Sequence, residues 1–183
     1  SLTAGTDNGD GSWDLGSDDL IGLQLVSETP IEEETPFVIT TTVTEGEETT
    51  TSVVYEGNED DGIIYDESVD FLDAGDGEDT LLIAEPVVDF TQIEGTIRNI
   101  ENLELLPESP QSIKLGVDDV LDITGEDNTL TIMGGEGDEV IINQNEWTQS
   151  AETVNEGFTT YYGADDPTVT LHIQDDIDVG TDF

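Results

Sequence analysis

Cysteine is absent from this chain, and only Arg98 and Lys114 carry a permanent positive charge. The first absence excludes disulfide staples, thiolate metal sites and cysteine nucleophiles. The second leaves 46 Asp and Glu residues almost unopposed, for a net charge of −44. So negative a chain repels phosphates and anionic lipid head groups, which argues against nucleic acid or a membrane surface as a direct partner. His172 is the single histidine. Without cysteine, a second histidine or a basic pair, no Ser-His-Asp or Cys-His constellation and no zinc site is read. Paired carboxylates of the glycosidase kind have no discriminating signal where acids are everywhere. The expectation is a protein that is not an enzyme.

Long apolar runs are also missing. Leu81-Leu82-Ile83-Ala84 is among the longest, far too short to cross a membrane, and no signal peptide is read. The chain opens on Ser1 and stops at Phe183 in mid-pattern, so it reads as a piece of something longer.

Apolar residues make up 34% of the chain and recur mostly with period two. Phe37 to Val43 and Thr49 to Tyr55, rich in β-branched residues around Glu45-Gly46-Glu47-Glu48, predict a long hairpin. Ser12 to Leu15 and Leu20 to Leu25 read as shorter strands. Three segments share a Thr-Leu-x-Ile pattern: Thr80 to Ile83, Thr129 to Ile132 and Thr170 to Ile173. Their irregular spacing argues against a solenoid. Ile97 to Leu105 reads as a turn leading into a strand, and Val117 to Asp122 as one short helical turn. Trp13 and Trp147 read as packing anchors, one per half, and His172 as a solvent-facing strand residue. The fold expected is all-β, an antiparallel β-sandwich with acidic calcium-binding loops. Its first portion, 1–70, is short of strands. It either stands apart from 71–183 or closes with it as one split domain.

The acids cluster with glycine in turns, and a hard divalent cation is their natural partner. Calcium takes six to eight oxygen ligands and tolerates irregular geometry. The candidate metal residues are Asp60, Asp61, Asp73, Asp76, Glu78, Asp79, Glu136, Asp138, Asp175, Asp176 and Asp178. Ala74-Gly75-Asp76-Gly77-Glu78-Asp79-Thr80-Leu81 is similar to the nonapeptide Gly-Gly-x-Gly-x-Asp-x-apolar-x of calcium-binding RTX proteins, with Ala74 at the first glycine. Gly134-Gly135-Glu136-Gly137-Asp138 keeps the frame, with its acid one position early. Asp7-Asn8-Gly9-Asp10-Gly11 lacks the central glycine and closing glutamate of an EF-hand loop, so it reads as a hairpin turn. Asp175, Asp176 and Asp178 are placed to share a cation with a neighbouring domain.

Taken together, several segments resemble modules of giant bacterial RTX adhesins, which leave by type I secretion and serve in biofilms. Gly5 to Leu15, with Asp19-Leu20 and Gly22-Leu23, resembles the opening of their tandem cadherin-like or Ig-like repeats. Ile97 to Leu103, Asp119 to Thr124, Asn128 to Ile132, Gly137 to Val140, Trp147-Thr148, Gly157 to Thr159 and Asp175 to Val179 resemble a module near their C-terminal end. The resemblance implies an extracellular, cell-surface, calcium-dependent module that spaces or presents ligand-binding domains. It would be a monomer whose partners are neighbouring domains of the same chain. The alternative is a module that itself binds a sugar or peptide, through an exposed Trp147, Tyr161 or Tyr162.

Overall fold

A computed structural model describes residues 3–9, 12–16, 37–45, 48–56, 60–93, 96–107, 109–151 and 156–181. The chain divides into two compact units, Ser1–Thr35 and Pro36–Phe183. In the first, β1 (Thr6–Asp7) pairs antiparallel with β2 (Trp13–Asp14). Gly9 N donates to Asp7 Oδ1 at 2.7 Å and Asn8 N to the Ser12 carbonyl at 3.0 Å. These bonds make the hairpin turn expected there, built by an Asp side chain that mimics a backbone turn. The strand read at Leu20 to Leu25 lies outside the described residues.

The second unit opens with the predicted hairpin, β3 (Phe37–Glu45) against β4 (Glu48–Glu56). After the hairpin the chain winds into a coil of short strands that stack in parallel. They are β5 (Gly62–Ile64), β6 (Phe71–Asp73), β7 (Thr80–Ile83), β8 (Val87–Asp89), β9 (Ile97–Arg98), β10 (Asn102–Leu105) and β11 (Ser112–Lys114). After helix α1 (Val117–Thr124) come β12 (Thr129–Met133), β13 (Glu139–Ile141), β14 (Trp147–Gln149), β15 (Phe158–Gly163), β16 (Thr170–Gln174) and β17 (Asp178–Gly180). A first sheet runs β14-β15-β16-β12-β10-β7-β5, a second β17-β13-β11-β8, and a third β3-β4-β6-β9. Each turn of the coil adds one strand to the first sheet, and from β7 onward one to the second. Helix α1 takes the place of a third-sheet strand after β11, and the Ile100 amide donates to the Ile123 carbonyl across that side.

Alternation explains the interior. Leu81 is in register with Leu103, which is in register with Ile132, and Leu130 with Leu171. All five are fully buried. In the second sheet Val88, Ile113 and Val140 form the matching buried column. Complete burial of one such side chain contributes about 1.5–3 kcal/mol, and the stacked columns are where the coil gathers that contribution. The second and third Thr-Leu-x-Ile segments align motif on motif, Thr129 on Thr170, and the first is offset from them by two residues. Thr80 pairs with Asn102, and Asn102 pairs with Thr131 instead of Thr129. A slip of two residues keeps every inward side chain inward, because the side-chain period is two.

Helix α1 forms where Val120, Ile123 and Thr124 are buried at helical spacing. Asp119 Oδ2 accepts the Gly116 amide at 2.6 Å, and Asp118 and Asp119 in the first turn complement the positive end of the helix dipole. Trp147 is buried, as a packing anchor should be. His172 faces outward from β16, yet β12 and β15 flank it. It is half-buried, its Nδ1 lies 2.9 Å from Thr160 Oγ1, and burial lowers its pKa.

The expectation of an all-β antiparallel sandwich is therefore overturned. The sheets are mixed and largely parallel, and an α-helix is built into the coil. Period-two alternation reports that a strand has a buried face and does not report the direction of its neighbour. Irregular spacing misled for a related reason. Aligned corner positions lie 18 residues apart at Asp61 and Asp79 but 22 apart at Asp79 and Glu101, and later connections also hold α1 or the β14–β15 pair. The Thr-Leu-x-Ile segments are turns of one coil, contrary to the reading from their spacing.

Candidate functional site

The acids that matter most stand immediately before strands, at the corners of the coil. Asp79 precedes β7, and the register places it between Asp61, one turn earlier, and Glu101, one turn later. Asp79 Oδ1 accepts the Asp61 amide at 2.7 Å, and the Asp79 amide donates to Glu101 Oε2 at 2.8 Å. The Asp79 carbonyl accepts the amides of Glu101 and Asn102. Nearby, Asp60 Oδ1 accepts the Glu78 amide at 3.0 Å. Carboxylates thus tie three successive turns together where the backbone changes direction, taking the amides of Asp61 and Asp79.

Asp79 has no accessible surface, and its Oδ2 has no hydrogen-bond partner among the described residues. Burial raises its pKa, and the neighbouring charges of Asp61, Asp60 and Asp76 raise it further. Burial likewise raises that of Glu101, assisted by the charges of Asp79 and Asp127. A buried carboxylate oxygen left bare among other carboxylates is costly, and a cation is one of the few groups that satisfies it.

Asp138 occupies the same station before β13, one turn above Gln111. Its Oδ1 accepts the Gln111 amide at 2.9 Å and its Oδ2 the Gly135 amide at 2.8 Å. Both oxygens are engaged, so this corner is closed by the protein itself. A side chain at Gly134 would place its Cβ 2.8 Å from Asp138 Oδ2, which is why that position is glycine.

The other predicted residues, Asp76 beside Asp79 excepted, are dispersed. Asp73, half-buried at the end of β6, accepts the Gly75 amide and, at 2.6 Å, Asn99 Nδ2. Asp76, Glu78, Glu136, Asp176 and Asp178 are exposed, and Asp175 accepts Thr159 Oγ1 at 3.0 Å. Among the described residues, no three or more acidic or histidine side chains come together closely enough to hold a metal ion. Sequence reasoning missed Glu101 and Gln111. Gln111 is buried, and its Nε2 donates to the carbonyls of Ile83 and Glu85 across the corner between β7 and β8. The signal for both was available: each immediately precedes a short apolar strand, as Asp79 and Asp138 do.

Fold and corners together define a three-sided parallel coil braced by carboxylates. Comparison with protein-family models, curated proteins and solved structures gave no match. No helix among the described residues is long and apolar enough to cross a membrane.

Proposed function

We propose that this chain is a non-catalytic, calcium-dependent structural module of an extracellular surface adhesin, in which the cation stiffens the coil that spaces or presents ligand-binding domains. The observation that carries the calcium reading is the bare, fully buried Oδ2 of Asp79 beside the charges of Asp60, Asp61 and Asp76. These residues and Glu101 would hold the ion, which would neutralise the corner and link three turns. Calcium suits an irregular, oxygen-only site better than magnesium, which demands near-ideal octahedral geometry. The adhesin setting rests on the sequence resemblance.

Thermal melts in EDTA, in millimolar calcium and in equimolar magnesium test the reading. Calcium should raise Tm by several degrees and magnesium by clearly less. Equal Tm values in EDTA and calcium, or equal effects of the two ions, would end it.

A further inference from the structure

Among the described residues the first sheet ends on β14 at one edge and on β5 at the other. At the late end the first sheet continues past β16 through the antiparallel strands β15 and β14. At the early end the sheet stops at β5, and among the described residues no strand pairs with its outer edge. The Tyr65 amide donates to the Leu82 carbonyl and the Thr80 amide to the Asp61 carbonyl. Residues 61, 63 and 65 therefore address β7, and alternation turns the peptide groups of Gly62 and Ile64 outward. The third sheet reaches further, because β4 lies beside β6. Among the described residues, this end has a third-sheet strand, β4, with no first-sheet strand beyond β5 to match it.

A cavity of about 550 Å³ lies at that place, with Val53 of β4, Ile63 and Ile64 of β5, and Val69, Leu72 and Ile93 in its lining. Asp66, Glu67 and Asp70 also line it, all exposed, and no lysine or arginine does. The large apolar side chains that stand exposed among the described residues are Ile64, 68% exposed, and Val87, 71% exposed. They sit on β5 and β8, the edge strands of the first and second sheets at this same end. Open edges and uncovered end turns invite strand pairing, and stacked-repeat proteins cover them.

We propose that this end docks an extended segment of a partner protein, with apolar side chains at alternate positions and lysine or arginine between them, which adds a strand to the outer edge of β5. Main-chain bonds to Gly62 and Ile64 give the attachment, and alternate side chains give the selectivity. The apolar positions cover Val53 and Ile63, and the basic ones fall on the outer face, where their aliphatic stems cover Ile64 and their charged ends meet the acidic rim. The net charge of the chain steers such a segment inward and repels an acidic one.

The probe is the peptide acetyl-Lys-Val-Lys-Ile-Lys-Val-Lys-amide, titrated into the full chain in calcium buffer at about 0.15 M salt, where the Debye length is ~8 Å. Calorimetry should give one-to-one binding, and NMR amide shifts should be confined to β4, residues 62–70 and residues 92–97. I64S and E67K, each melting like the parent, should weaken binding by about tenfold. Alternate N-methylation of the peptide should do the same. Absence of binding overturns the proposal, as does equal binding by a glutamate-for-lysine peptide, by the N-methylated peptide or by both variants. Shifts spread over the acidic corners overturn it too. Self-association of the free chain that I64S abolishes, seen by sedimentation velocity, assigns the edge to a second copy instead.

Discussion

The two glycine-acid corners, 74–79 and 134–138, look alike as text and differ as chemistry. Each ends in an aspartate just before a strand, and each aspartate accepts the amide of the residue aligned with it one turn earlier. They part at the second oxygen. In the later corner Gly135 stands three residues before Asp138 and donates to it. The earlier turn is one residue longer, and its additional amide, that of Glu78, donates to Asp60 instead. Asp79 Oδ2 is left bare in a crowd of carboxylates. One inserted residue therefore separates a bracket that the protein completes from one that leaves a buried carboxylate oxygen bare.

Substitution at the two aspartates should break the comparison most sharply. Asp138→Ala strands two amides, Gln111 and Gly135, and should cost about 3 kcal/mol by chemical denaturation. The loss should be the same in calcium and in EDTA if the two amides are all that the carboxylate serves. Asp79→Asn should behave oppositely. Its Oδ1 can still accept the Asp61 amide while a repelling charge is removed, so stability in EDTA should hold or rise. The increment that calcium gives the parent, about 2–3 kcal/mol at a hundredfold excess over Kd, should vanish. If Asp79→Asn keeps the full increment, or Asp138→Ala loses stability only in calcium, the two corners have been assigned the wrong way round.

How much of the molecule is legible in its sequence divides along physical lines. The hairpin over 37–56 follows from local periodicity; the single helical turn expected at 117–122 runs on to Thr124, and of 97–105, read as a turn leading into a strand, Ile97–Arg98 is already a strand before Asn102–Leu105. The direction of pairing depends on connections whose lengths vary from turn to turn, so periodicity alone pointed to the wrong sheet. For the site, glycine and acid spacing marked Asp79 and Asp138 but not which of their oxygens the fold would satisfy. Glu101 and Gln111 look like ordinary polar residues until register stacks them on the corners.

A smaller effect comes from pH. Burial first, and neighbouring charge second, raises the pKa values of Asp79, Glu101 and Asp119 above the ordinary values of 3.8 for Asp and 4.5 for Glu. A raised acid binds its proton more tightly in the folded state, so stability grows as pH falls. In EDTA the Tm should therefore rise from neutrality down towards pH 4.5 and 3.8, the ordinary values. In calcium the sign reverses at the Asp79 corner, because the ion requires the ionised carboxylates. The calcium increment should shrink through the same window until the two melting curves meet. Asp79→Asn should flatten the slope in EDTA, and a slope unchanged by that substitution would remove Asp79 from the account.

The least effect belongs to the acids that face water alone. Glu136 and Asp176 are exposed, and Glu136→Gln or Asp176→Asn should each move stability by no more than about 0.5 kcal/mol. Exposed charges interact through water and are screened within a Debye length, so neither change should depend on calcium. The residual effect should come from the net charge of −44 and be slightly stabilising, as relief of self-repulsion requires. Made together, the two changes should add, and their sum should fade as salt is raised in EDTA. An effect that instead grew with calcium would place an ion at the later corner, where Asp138 already has both oxygens engaged, and the contrast between the corners would fall with it.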